Sequence, residues 1–230
     1  MVALRDVVDV VVFDVLGTLV DEPSGLRAAI AEAVPAADDA ALGELVGLWQ
    51  TVVEDQQLRI AAGDRAYAPS DVVDAEAAEA VAARAGLGDV EVVARLAAAG
   101  RRLPAWPDAD GGLERLARRY PLVGLSNASR ASLLRLDAAA GLRWHLALSS
   151  EDAGAYKPAP EVYGLALSAA AVPAERVLMV AAHAWDLRGA RAVGMRTAYV
   201  ERPVGDPPRT DDGFDLEVGG LDALADALGA

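Results

Sequence analysis

The stretch Val10-Val11-Val12-Phe13-Asp14-Val15-Leu16-Gly17-Thr18 places four apolar residues, three of them β-branched, directly before a carboxylate and a glycine turn. A short unbroken apolar run bounded by turn residues reads as a strand buried on both faces, the pattern of a parallel sheet covered by helices. In open α/β sheets ligands bind beyond the carboxyl ends of the strands, so Asp14 stands where chemistry is expected. Two questions follow from this stretch: why a charge should end a buried strand, and what Leu16 does two positions later.

Moving outward, four further β-rich runs occur at Leu122–Leu125, Leu146–Leu148, Val177–Val180 and Thr197–Val200. They alternate with helical patterns over 111–119, 130–140, 161–171 and 187–193, which predicts an α/β core of about five strands. Residues 21–99 differ, because they carry helical periodicity and no convincing strand. Leu42, Leu45, Val46, Trp49, Val52 and Val53 lie on one helix face, with Asp38 or Asp39 as N-cap and Gly63 as the stop. Two more helices are predicted over 70–86 and 89–100. The expected organisation is a core of residues 1–20 and 100–230, with residues 21–99 inserted as a helical cap. Residues 201–215, rich in Pro and Asp, read as a surface connection.

Composition narrows the function classes. The 35 acidic and 21 basic side chains give a formal net charge of −14, which repels nucleic acid and anionic lipid surfaces alike. With no cysteine, disulfides and thiolate metal sites are excluded. The apolar N-terminal run is broken by Asp9 and Asp14, so it reads as a core strand and not as a signal peptide or membrane span. A cytoplasmic protein acting on small molecules is expected. Of the 21 basic residues, Lys157 alone is lysine; a compact ammonium kept in an arginine-rich chain suggests a site that a planar guanidinium does not suit, although compositional bias gives the same count.

Several strand ends carry polar groups together. Asp14 and Thr18 follow the first strand, Ser126 and Asn127 follow the second, the loop after Leu148 reaches Lys157, and His183, Trp185 and Asp186 follow the run ending at Val180. Taken singly, each has a duller reading as a helix cap, a turn or a solvated loop. Together they offer a nucleophilic carboxylate, a cation beside it and a second acid. Trp49, Trp106 and Trp144 read as packing residues, with Trp49 on a cap helix expected to face the site.

The ordered segments "FDVLGTL", "LSNAS", "YKPAPEVY" and "AWDLRGARAVGMRT" resemble the haloacid dehalogenase superfamily, and within it the L-2-haloacid dehalogenases. The resemblance spans nearly the whole chain. It implies an α/β fold: a Rossmann-like parallel sheet of about five or six strands with an inserted all-helical cap. It further implies that Asp14 is the nucleophile, that Ser126 and Asn127 hold its carboxylate or the substrate's, that Lys157 neutralises the nucleophile and intermediate, and that Asp186 assists hydrolysis. Thr18 is expected to orient Asp14. A homodimer is also implied.

Leu16 bears on the leaving group. Phosphatases of this superfamily carry an aspartate there to protonate a departing alkoxide; a halide is a weak base and leaves without that proton. The segment Ala181-Ala182-His183 lacks the further acid of magnesium-dependent members, leaving only Asp14 and Asp186 as carboxylates for a hard cation. The expected activity is therefore hydrolytic dehalogenation of short 2-haloalkanoic acids by attack of Asp14 on C2, through an aspartyl ester, with no metal or cofactor and a small anionic substrate. The alternatives are a magnesium-dependent phosphatase of a small metabolite and a non-catalytic binding protein. The resemblance departs where substrate is selected. Leu16 replaces a tyrosine, Ala181 and His183 replace serine and asparagine, and Gln50 stands where the family places a halide-binding arginine. Halide then falls to Arg59, Arg65 or the indole N–H of Trp185, with His183 a pocket residue bonding water or substrate.

Overall fold

The computed structural model describes residues 4–230. Six parallel strands form one sheet, in the order β3-β2-β1-β4-β5-β6. They are β1 (Val10–Phe13), β2 (Leu122–Ser126), β3 (Leu146–Ser149), β4 (Val177–Ala181), β5 (Arg196–Val200) and β6 (Leu216–Val218). β1 lies between β2 and β4, with Val11 opposite Leu122 on one side and Leu178 on the other. Every residue of β1 is buried, which is why its sequence is apolar without alternation. Val11 and Phe13 join the cluster on one face with Leu113, Leu116, Leu133 and Leu221; Val10 and Val12 join the other with Val162, Tyr163, Met179 and Leu187.

The cap consists of α1 (Glu22–Ala33), α2 (Asp39–Ala61), α3 (Ser70–Ala85) and α4 (Val90–Ala97). Asp38 caps α2 by accepting from the Ala41 N–H at 2.9 Å, and Gly86 ends α3 in the left-handed conformation at φ 70°. Leu26, Ile30, Leu45, Trp49, Val81 and Leu96 build a separate apolar core there. Trp49 is thus packed inside the cap, as its reading as a packing residue expects, because its neighbours on the same helix face are the residues the cap must bury. The chain leaves the sheet layer at Val20 and returns at Ala105, where the two residues form an antiparallel bridge.

The remaining helices, α5 (Ala109–Ala117), α6 (Arg130–Ala140), α7 (Pro160–Ala170), α8 (Ala184–Ala192) and α9 (Leu221–Leu228), cover the sheet. The sequence patterns miss β6 and α9 and start α8 three residues late. No described helix is long and apolar enough to cross a membrane.

Candidate active site

Adjacent strand ends bring the polar groups together. Asp14 continues the sheet by donating its N–H to the Val180 carbonyl at 2.9 Å. Thr18, one tight turn later, donates its hydroxyl to Asp14 Oδ2 at 2.7 Å and accepts from the Ala182 N–H at 2.9 Å. The turn needs Gly17. Its φ is +76°, and a Cβ there would sit 2.6 Å from His183 Nε2.

The Lys157 ammonium lies between two carboxylates, 3.0 Å from Asp14 Oδ1 and 2.8 Å from Asp186 Oδ2. Asp186, in the first turn of α8, is fully buried, and Lys157 is 4 % exposed. Burial alone would pull the ammonium's pKa down, but the charges of Asp14 and Asp186 outweigh it and hold the pKa above the ordinary lysine value. Burial also pushes the Asp186 carboxyl above the usual carboxylate range; Lys157 opposes the rise and Asp14 adds to it. The buried Tyr163 hydroxyl donates to Asp186 Oδ1 at 2.6 Å. Both Asp186 oxygens are therefore engaged.

Ser126 and Asn127 stand beside this cluster. The buried Ser126 hydroxyl accepts from the Ala128 N–H at 3.1 Å, shaping the turn after β2, and makes no hydrogen bond to Asp14. Asn127 Oδ1 accepts from the Lys157 N–H at 2.9 Å, so this amide holds the lysine's backbone. His183 Nε2 lies 3.3 Å from the Leu16 carbonyl, and its ring stacks on half-exposed Trp185 with centroids 5.8 Å apart. Leu16 packs against the sheet's apolar cluster as a wall residue.

Gln50 and Arg59 are exposed on α2. Arg59 reaches only Gln56, at 3.5 Å. Arg65, the other candidate for the halide, is instead held by both oxygens of Glu76 at 2.7 Å and by Gln56.

Four contributors were not legible as such. Tyr163 lies within the "YKPAPEVY" segment, but nothing in its spacing marks it as the partner of Asp186. The Trp106 indole donates to the Gly17 carbonyl at 3.0 Å, and Arg202 Nε donates to the Thr18 carbonyl at 2.9 Å, so residues read as packing and surface connection brace the turn after Asp14. Glu22, at the start of α1, has its carboxyl raised by burial, with His183 opposing and Asp14 adding to the rise. It shares the electrostatic field of the site.

The chain is thus a helix-covered parallel sheet with an inserted helical segment, and its central strand ends in a carboxylate paired to a buried lysine. The haloacid dehalogenase-like hydrolase profile matches residues 8–194, and the chain belongs to that family. It is 32% identical over 198 residues to (S)-2-haloacid dehalogenase H-109 of Pseudomonas putida, covering 84% of this chain and 85% of that one. A solved L-2-haloacid dehalogenase superposes with a TM-score of 0.86 at 32% identity, over 96% of this chain and 99% of the other. The L-2-haloacid dehalogenase of Xanthobacter autotrophicus, solved with chloropropionic acid covalently bound, gives 0.78 at 25% identity over 97% and 99%.

Proposed function

We propose that the protein hydrolyses the carbon–halogen bond of short (S)-2-haloalkanoic acids by covalent catalysis at Asp14, without a metal ion. The observation that carries this reading is the ammonium of Lys157 lying 3.0 Å from Asp14 and 2.8 Å from Asp186 in a buried site. It supplies, against the nucleophile, the positive charge that an ester-forming and ester-cleaving site needs.

In the first step an Asp14 oxygen attacks C2 from the side opposite the halogen; a C–O bond forms and the halide leaves with the bonding electrons. No proton is required by the leaving group, and an apolar wall at Leu16 is compatible with that. In the second step water adds to the Asp14 carbonyl carbon, passing a proton to a basic group. The raised pKa of Asp186 brings this carboxylate closer to such a role than an ordinary aspartate. One Asp14 oxygen is then the ester oxygen and the other carries the oxyanion; Lys157 and Thr18 are bonded to one each, so the donor on the unalkylated oxygen stabilises the developing charge. As the intermediate collapses, the proton taken from water passes to the departing C2 oxygen, releasing a 2-hydroxyalkanoate, and the Asp14 carboxyl loses its own proton to regenerate the carboxylate. Lys157 already places a positive charge between Asp14 and Asp186, the two carboxylates that a divalent cation would otherwise draw on, which supports metal-independent chemistry.

Chloride release from (S)-2-chloropropionate in EDTA tests the reading. The expected outcome is turnover that persists in chelator and falls by at least about 10⁴-fold in Asp14→Asn. A single turnover in ¹⁸O-water should leave label in the Asp14 carboxylate, since water attacks the enzyme's own carbonyl. Phosphate release that requires magnesium, with no chloride release, would replace this reading by a phosphatase.

A further inference from the structure

The loop that carries Lys157 is tied to the cap. Tyr156, the residue before it, is buried, and its hydroxyl donates to the Ala68 carbonyl at 2.8 Å. Ala68 lies in the segment joining α2 to α3, and the Tyr67 ring packs on Tyr156 with centroids 5.4 Å apart. Two residues further, Ser70 Oγ accepts from the Ser129 N–H at 2.8 Å, just after Ser126 and Asn127. Asp71 then accepts from Ser132 and pairs with Arg101 at 3.4 Å. Asn127 closes the circuit through its bond to the Lys157 N–H. Residues 68–71 of the cap thus hold both the loop after β2 and the loop that brings Lys157 to Asp14.

We propose that Tyr156 is a positioning residue whose bond to the Ala68 carbonyl couples the seating of the cap to the placement of the Lys157 ammonium between Asp14 and Asp186. The hydroxyl is well placed for this. It is buried and remains a donor, since burial foremost pushes its pKa up from the ordinary tyrosine value. A shift of the cap linker pulls directly on the residue bonded to Lys157, and an error of about 1 Å in such a group can cost on the order of a hundredfold in rate. The coupling applies whatever the substrate; its kinetic consequence rests on the dehalogenation proposed above.

The test uses the single lysine of the chain. Protein labelled with ¹³Cε-lysine gives one side-chain lysine resonance, that of Lys157, whose shift and titration midpoint report its surroundings without reference to activity. Tyr156→Phe keeps the ring against Tyr67 and removes only the hydroxyl. It is expected to move the Lys157 resonance and lower its midpoint by about half a pH unit or more, and to lower kcat for chloride release roughly tenfold with little change in KM. Tyr67→Phe, which keeps the ring against Tyr156 and removes a hydroxyl that bonds neither Tyr156 nor Lys157, is expected to leave both unchanged. Should Tyr156→Phe fail to fold, Ser70→Ala loosens the second tie and is expected to shift the same resonance in the same direction. An unchanged Lys157 resonance and midpoint in folded Tyr156→Phe overturns the proposal. A moved resonance with unaltered kcat refutes the kinetic consequence and leaves the coupling standing. A moved resonance in a protein that releases no chloride even as wild type refutes the dehalogenase reading alone.

Discussion

Lys157 is one residue among 21 bases, and the site depends on its being a lysine. Its ammonium serves Asp14 and Asp186 at once, as a compact point charge can and a rigid guanidinium fork cannot without moving one carboxylate. Replacing it by alanine leaves two carboxylates facing each other in a buried place, which should destabilise the protein by about 3–5 kcal/mol and abolish turnover. Chemical denaturation at neutral pH checks the first outcome. The pH dependence has a definite sign. The folded pKa of Lys157 is raised above the ordinary 10.5, so its stabilising contribution is complete below that value and is lost only as pH climbs through the folded pKa. Denaturation midpoints of the wild type and Lys157→Ala are therefore expected to stay well separated through neutral and mildly alkaline pH and to converge only above about 10.5.

At the scale of elements, α3 presents Asp74 toward the start of α1. Burial above all, with Glu22 and Asp71 adding and Arg101 opposing, pushes the Asp74 carboxyl up to about 8. A carboxyl with a raised folded pKa stabilises the protein most below its unfolded value of 3.8, and that contribution is lost as pH rises toward 8. Asp74→Asn should therefore flatten the stability profile between those limits and raise the melting temperature at pH 8 to 9, which differential scanning calorimetry over a pH series measures. The elements also show what a sequence can declare about itself. β1 was legible because four buried residues in a row leave few alternatives, and α6 because Ser129 and Gly141 mark its two ends locally. The start of α8 was not. Ala181-Ala182-His183 offers no capping side chain; Asp206, twenty residues on, supplies both the carboxylate that caps the Trp185 N–H at 2.9 Å and the carbonyl that takes the Ala184 N–H at 2.8 Å. The site divides in the same way. Asp14, Thr18, Lys157 and Asp186 follow strands and could be placed by that rule, whereas Trp106, Arg202 and Tyr163 act through contacts spanning 23 to 184 residues of chain, which no local pattern encodes. β6 has only three residues, too few for a period to show.

Over the whole molecule, cap and core have separate apolar cores but are joined by the Ser70–Ser129 and Tyr156–Ala68 hydrogen bonds and the Asp71–Arg101–Ser132 cluster. These ties should make the two units melt together. A single calorimetric transition whose van't Hoff and calorimetric enthalpies agree is the expected result, and two resolved transitions would show that the ties are weak. The sheet order has a further consequence for how the protein is made. β1 leaves the ribosome early, yet its partners begin at Leu122 and Val177, so four adjoining apolar residues wait for more than half of the polypeptide before either edge can be covered. The helical cap, made in between and rich in local contacts, can form during that wait, whereas the parallel sheet closes late and slowly. Of the six strands, the one that ends at Asp14 is synthesised first and is among the last to be shielded, and a nascent chain stalled before residue 177 would present it to chaperones or to other copies of itself.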